Sequence, residues 1–157
     1  MLIANSGRWR TREETMFEVS IQNLGDVTIF HCKGRLTFGD EDTLLNAVSS
    51  QQSLRLALLD LAEVTAVDAG GLGMLVSVRK WARSRGVALK LMNLTPWVQD
   101  SLELTKLKSA FEICSVPEML RLFCRALNQA KLGDVNGTVE NLVKSMRMQS
   151  VPSFRSP

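Results

Sequence analysis

The sequence predicts a single α/β domain, a mixed sheet of four to five strands with about four helices, in the order β-β-α-β-α-β-α-β-α. Three features predict it. Two strand-like segments around a glycine turn open the pattern, a nearly continuous apolar run follows, and helix-like and strand-like stretches then alternate. An unbroken apolar strand has no wet face, so helices must cover both of its sides, and right-handed crossovers place them there. At 157 residues the chain is long enough for one such core and too short for two comfortable ones.

The opening hairpin is read from Phe17, Val19 and Ile21, which alternate with polar residues, from Gly25-Asp26 as the turn, and from the β-branched and apolar stretch 27–32; Lys33-Gly34-Arg35 closes it. Asp40, Glu41 and Asp42 precede Leu44, Leu45 and Val48. Such an acidic first turn suits the positive end of a helix dipole, and the helix is expected to run to about Ser50. Residues 54–61 are the apolar central strand. A glycine-opened helix over about 70–85, a strand at 87–92 and a helix from Pro96 come next. Thr95 is placed as N-cap, with Pro96 at the first helical position, where its missing N–H costs nothing. Residues 111–114 form a short last strand, and Ser115 with Glu118 fits the capping box of a helix carrying Met119, Leu120, Leu122, Phe123, Ala126 and Leu127.

The domain so defined covers 16–130. Residues 1–15 are polar, lack periodicity and read as a flexible lead-in, and Met16, just before the first strand, is a candidate start of translation. Residues 131–157 read as a polar tail in which Val139, Leu142, Val143 and Met146 are spaced for one short amphipathic helix.

A hydrophobic fraction of 45% with 22% charged residues places the chain among globular domains. No apolar run reaches the roughly 18 to 20 residues that span a bilayer, and the first fifteen residues lack the apolar centre of a secretory signal, so a cytoplasmic protein without membrane insertion is expected. Cys32, Cys114 and Cys124 are scattered among apolar neighbours with no metal or redox spacing, which predicts buried free thiols. The net charge of +3 lies entirely in the tails, because 16–130 holds 12 basic and 12 acidic residues. Nucleic-acid binding needs clustered positive charge on the folded surface, and none is predicted. His31 and Cys32 are adjacent on a strand and point to opposite faces, so they cannot pair as base and nucleophile. With one histidine and no phosphate loop of the G-K-S/T kind, neither an enzyme, a metal nor a cofactor is expected.

The most informative stretch is 56–81. An apolar strand leads through Val64-Thr65-Ala66-Val67-Asp68 to Ala69-Gly70-Gly71-Leu72-Gly73 and a helix. Three glycines in four residues permit a tight turn and leave amides open at a helix N-terminus, where an anion can sit; close packing of strand on helix requires glycine equally well. Asp68 is placed as the cap of that helix, or as a charge read by a partner. At about 100° per residue, Gly71, Met74, Leu75, Val78, Trp81 and Ala82 fall on the core side, and Leu72, Val76, Arg79 and Arg83 fall opposite. Two apolar residues beside two cations make that outer face a candidate docking surface.

The run from Asp60 to Gly73 resembles the signature of STAS domains, in which an apolar strand and a D-S-S-G-L-G-like turn precede the second helix. Gly34-Arg35-Leu36 is similar to the family's G-R-L after the second strand, and 101–107 (Ser-Leu-Glu-Leu-Thr-Lys-Leu) to its L-E-L-T-x-L segment. The resemblance covers roughly 16–127. It implies a bacterial regulatory module of the anti-sigma factor antagonist kind, whose partner is an anti-sigma factor or serine kinase-like protein that engages the turn and second helix; a homodimer is left open. The family's phosphoacceptor serine follows the aspartate, and here that position is Ala69, with Gly70 next. A methyl group offers no oxygen to a γ-phosphate, so transfer at this position is chemically excluded. Thr65 and Ser77 are the nearest hydroxyls. The expected partner-binding residues are Asp68, Gly70, Leu72, Val76, Arg79 and Arg83. Two further expectations stand beside this one, the STAS subunit of an ABC-type lipid transport system and a nucleotide or anion sensor at the Gly70, Gly71 and Gly73 amides.

Overall fold

The computed structural model describes residues 16–39, 41–129 and Lys144. The segments 1–15 and 131–157, read above as lead-in and tail, lie outside it apart from Lys144. Among the described residues, five strands and four α-helices follow in the predicted order: β1 (Glu18–Leu24), β2 (Val27–Leu36), α1 (Glu41–Ser49), β3 (Leu56–Val67), α2 (Ala69–Arg85), β4 (Ala88–Met92), α3 (Pro96–Leu104), β5 (Glu112–Ile113) and α4 (Val116–Gln129), with one 3-10 turn at Lys108–Ala110.

The strands lie side by side in chain order. β1 pairs with β2 antiparallel across Gly25, whose φ of 65° only glycine adopts cheaply, and the β2–β3, β3–β4 and β4–β5 pairs are parallel. The hairpin does not close at residues 33–35 as expected. β2 runs on to Leu36 and β3 to Val67, and the two stay paired to their ends through two register shifts, His31/Lys33 and Gly34/Arg35. Gly34 accommodates the close approach of the residues just before β1, since a Cβ there would stand 2.0 Å from the Met16 carbonyl oxygen.

Each face of the sheet has its own apolar cluster. Phe30, Cys32, Leu59, Leu61 and Leu91 join Leu44 and Val48 of α1, Met74, Leu75 and Val78 of α2, and Val98 and Leu102 of α3. On the other side, Ile29, Leu58 and Met92 pack with Met119, Phe123 and Ala126 of α4. The central strand is covered on both sides, as its composition demanded. α4 is amphipathic, so its Cys124 points to solvent; that thiol is exposed rather than buried, whereas Cys32 and Cys114 are buried as expected.

The capping residues sit where the pattern placed them. Thr95 Oγ1 accepts from Val98 N at 3.4 Å, and Ser115 Oγ accepts from Glu118 N at 3.3 Å. α2 stops at Gly86, a left-handed residue (φ 69°) whose N–H returns to the carbonyls of Ala82 and Arg83.

Candidate partner-binding site

β3 ends at Val67, and the chain turns into α2 at Asp68, which is extended (φ −118°, ψ −174°). Its backbone N–H donates to the Leu36 carbonyl at 3.3 Å, and its own carbonyl accepts from Leu72 N at 2.9 Å. The two carboxylate oxygens divide their work. Oδ1 accepts from Gly71 N at 2.9 Å and caps the helix; Oδ2 accepts from Phe38 N at 3.2 Å, on the loop between β2 and α1. The Gly71 amide, with those of Phe38 and Gly70 and the charge of Arg35, holds the Asp68 carboxyl below its ordinary range against a smaller opposing effect of burial. The positive end of α2 is thus occupied by the chain's own carboxylate.

Two of the three glycines are explained by packing. A Cβ on Gly70 would lie 2.7 Å from Phe38 Cα, and one on Gly71 would lie 1.9 Å from the Leu36 oxygen. Gly73 is different, with open space on every side of a Cβ placed there. Ala69 is the first residue of α2 and is exposed, so its methyl faces solvent at the head of the helix.

The outer face of α2 differs from the expected one. Leu72 is only 7% exposed and Val76 is half-buried, both in the cluster that contains Leu44 and Val48 of α1. The wheel placed them outside because it assumed a helix covered only by the sheet; α1 lies alongside α2 and buries that flank. Arg79 on the same flank is half-buried. The face open to solvent is Ala69, Gly73, Ser77 and Lys80, with Arg83 at its edge. Asp68, Gly70 and Ala69 stand together at its head, whereas Arg83 stands in the last turn, beyond them. Arg85 lies over the Trp81 ring at 5.8 Å. Thr65, on β3, and Ser77 are both exposed hydroxyls.

Sequence reasoning placed the loop 37–40 near this rim without singling out Phe38, and it missed a second feature. Phe38, held against Asp68 and Gly70, projects a ring that is 80% exposed. The second is a polar group on the α4 side of the sheet. Asp60, 8% exposed, takes His31 Nδ1 at 2.8 Å on Oδ2, and Asn93 Nδ2 at 2.9 Å and the Ala62 N–H at 3.1 Å on Oδ1; His31 Nε2 meets Gln22 Oε1 at 3.2 Å. Cys32 points the other way into the core, where burial, then the charge of Asp60, pushes its thiol far up. Among the described residues no group of three or more His, Cys, Asp or Glu side chains could hold a metal, and no helix is long and apolar enough to cross a membrane.

The family model described as "STAS domain" matches residues 18–119. An anti-sigma factor antagonist from Mycobacterium paratuberculosis has a similar fold (TM-score 0.57, 15% identity), over 68% of this chain and 93% of that one. So does the anti-sigma factor antagonist SpoIIAA in its unphosphorylated form (TM-score 0.53, 13% identity, 67% of this chain and 93% of that one). The murine Solute Carrier 26 family member A9 anion transporter matches with a TM-score of 0.53 and 16% identity over 64% of this chain. The chain spans 20% of the length of that transporter and 18% of the length of another protein it matches, Mglu. No curated protein matches it by sequence.

Proposed function

The chain belongs to the STAS domain family, and from that premise we propose that it is a non-enzymatic interaction module, used as an anti-sigma factor antagonist is used. In this reading residues 16–130 form the module, its setting is the bacterial cytoplasm, and its partner is an anti-sigma factor of the serine kinase-like kind. The partner docks on the turn 68–70 and the solvent-open face of α2, with Arg79 at the α1 flank and Arg83 at the far end, while Leu72 and Val76, packed in the core cluster, support that face from within.

One observation carries the reading. The position that would bear a phosphoryl group is exposed at the head of α2 and carries a methyl, while the cap that shapes the turn is kept. A phosphoserine there would set roughly two negative charges beside the Asp68 carboxylate. Ala69 removes that repulsion permanently, so the surface stays in its binding form and control passes to abundance or to the partner.

The test captures partners from the source organism on the immobilised full chain and then incubates the captured protein with ATP. A kinase-like partner, no phosphate on the wild type, and phosphate on Ala69→Ser with loss of binding are the expected results. Phosphate on Thr65 or Ser77 of the wild type overturns the unswitched reading.

A second reading, the STAS subunit of an ABC-type lipid transport system, draws on the likeness to a domain of a membrane transporter. Capture of an ATPase or permease in the same experiment favours it. The reading as a nucleotide or anion sensor is less favoured, because Asp68 already takes the Gly71 amide; calorimetry with GTP or phosphate is expected to give no binding heat.

A further inference from the structure

The parallel strands begin at one end of the sheet and finish at the other, and the fold sorts charge between the two ends. α2 leaves the finish of β3 and runs back to the start of β4, so its last two turns lie at the end where β3 and β4 begin side by side. Those turns carry Arg79, Lys80, Arg83 and Arg85, and α2 holds no acid. At about 100° per residue the first three share an arc of about 100°. Arg55 joins them, because it stands just before β3 and its carbonyl takes the Ala88 N–H, close past Arg85. None of the five meets a carboxylate within ion-pair distance among the described residues. Toward this end stand two acids, Asp26, whose carbonyl takes the Leu56 N–H, and Glu103, which is already paired with Lys108 at 2.7 Å. Glu41, Asp42, Glu63 and Asp68 lie toward the other end. The even count of charges over 16–130 therefore conceals a basic pole.

The negative end of a helix dipole attracts cations, and that accounts for Arg83 and Arg85 in the last turn. It does not account for Arg55 on another element, or for Arg79 and Lys80 a turn earlier. We propose that this end of the domain rests on the surface of an anionic phospholipid bilayer, without crossing it. The inference goes beyond the interaction reading and does not depend on it. Four of the five cations are arginines, whose forked donors match phosphate oxygens, and a cluster of this size is what an acidic leaflet attracts. α3 crosses on the same face of the sheet and ends toward the same pole on Leu104, which is 84% exposed and is followed by the exposed Lys106. An apolar side chain beside cations suits the boundary between headgroups and acyl chains. A nucleic acid finds less here. Trp81 is half-buried with Arg85 over its ring, and the exposed Trp97 stands at the start of α3, toward the other end, so neither offers a base a stacking face at the pole. α2 is packed into the core along its length and does not project into a groove. Seated on a membrane this way, the domain holds Ala69, at the opposite end of α2, away from the lipid.

Arg79 and Arg83 also belong to the partner surface, so the test substitutes Arg55 and Lys80. The full chain is sedimented with vesicles of phosphatidylcholine alone and of phosphatidylcholine with about 30% phosphatidylglycerol. Binding is expected to the second only, and to fall about tenfold as salt is raised to about 0.5 M. Arg55→Gln with Lys80→Gln is expected to weaken it about tenfold at an unchanged melting temperature. Lys33→Gln with Arg35→Gln removes the same charge at the finish of β2 and is expected to stay within about threefold of the wild type. Equal losses from the two pairs would mean that only net charge matters and would overturn the pole. Absence of binding to the phosphatidylglycerol vesicles overturns the proposal outright, and so does tighter binding to a DNA strand of about 20 nucleotides than to those vesicles. Leu104→Ser is expected to weaken vesicle binding severalfold, and no change there overturns the apolar contact. Partner capture by the turn 68–70 is expected to survive Arg55→Gln with Lys80→Gln, so the membrane contact and the interaction reading fail separately.

Discussion

The turns that lead from β3 into α2 and from β4 into α3 stand at the same end of the parallel sheet, and each begins its helix with a side-chain cap. At the second turn a neutral hydroxyl does this. Thr95 Oγ1 accepts from Val98 N and donates to the Val64 carbonyl at 3.2 Å, and Pro96 leaves one fewer amide to satisfy. At the first turn a carboxylate caps the helix with one oxygen and reaches a separate loop with the other. Starting a helix needs no charge. The charge at Asp68 is explained by what it ties down, the loop that carries Phe38, and by the bare surface it leaves around Ala69.

That contrast can be broken or sharpened by four substitutions. The largest effect is expected from Gly71→Ala, whose Cβ would meet the Leu36 carbonyl at 1.9 Å. Backbone cannot yield as a side-chain tip can, so a loss of about 3 kcal/mol in urea denaturation is expected. Asp68→Ala follows at about 1.5 kcal/mol near neutral pH, and its cost should depend on pH. The folded carboxyl is held below its ordinary value, so its stabilisation is present above the unfolded value of about 4 and fades as pH falls through the lower, folded one. The gap between wild type and variant should therefore close in acid. Thr95→Ala should cost about 1 kcal/mol with no such closure, because a hydroxyl does not titrate in this range. A flat profile for Asp68→Ala, or a sloping one for Thr95→Ala, would erase the distinction drawn between the two caps. Smallest and opposite in sign, Gly73→Ala should raise stability by about 0.7 kcal/mol, since its Cβ meets nothing and alanine is the better helix former. If a partner's backbone approaches that face closely, the same variant will be more stable and bind less well.

Much of this was legible in the sequence because it is local or periodic. The order of elements, the three N-caps at Asp68, Thr95 and Ser115, and the alanine at position 69 all lie within a few residues of their own explanation. All but one of the errors come from contact between distant segments. Helical spacing fixed the phase of α2 correctly for Met74, Leu75 and Val78, yet it could not reveal that α1 lies along the flank of Leu72. The Asp60 group joins His31 and Asn93 from 29 and 33 residues away, and no periodicity announces such a group. Phe38 is one aromatic residue in a short loop, with no pattern around it. Cys124 was the avoidable error, because the stripe Met119, Phe123 and Ala126 already puts position 124 off the buried face.

The bond between Phe38 and Asp68 spans 30 positions of the chain, and this has a kinetic meaning. Each half of the hydrogen bond belongs to a segment that follows a strand, so it can close only after β2 and β3 have zipped together to their ends. This turn is then among the last parts of the molecule to assemble, and, lying at the solvent edge, among the first to open. Hydrogen exchange should show it as one unit, with the Phe38 and Gly71 amides trading their protons together and faster than those of the buried strand residues Leu58 and Leu59.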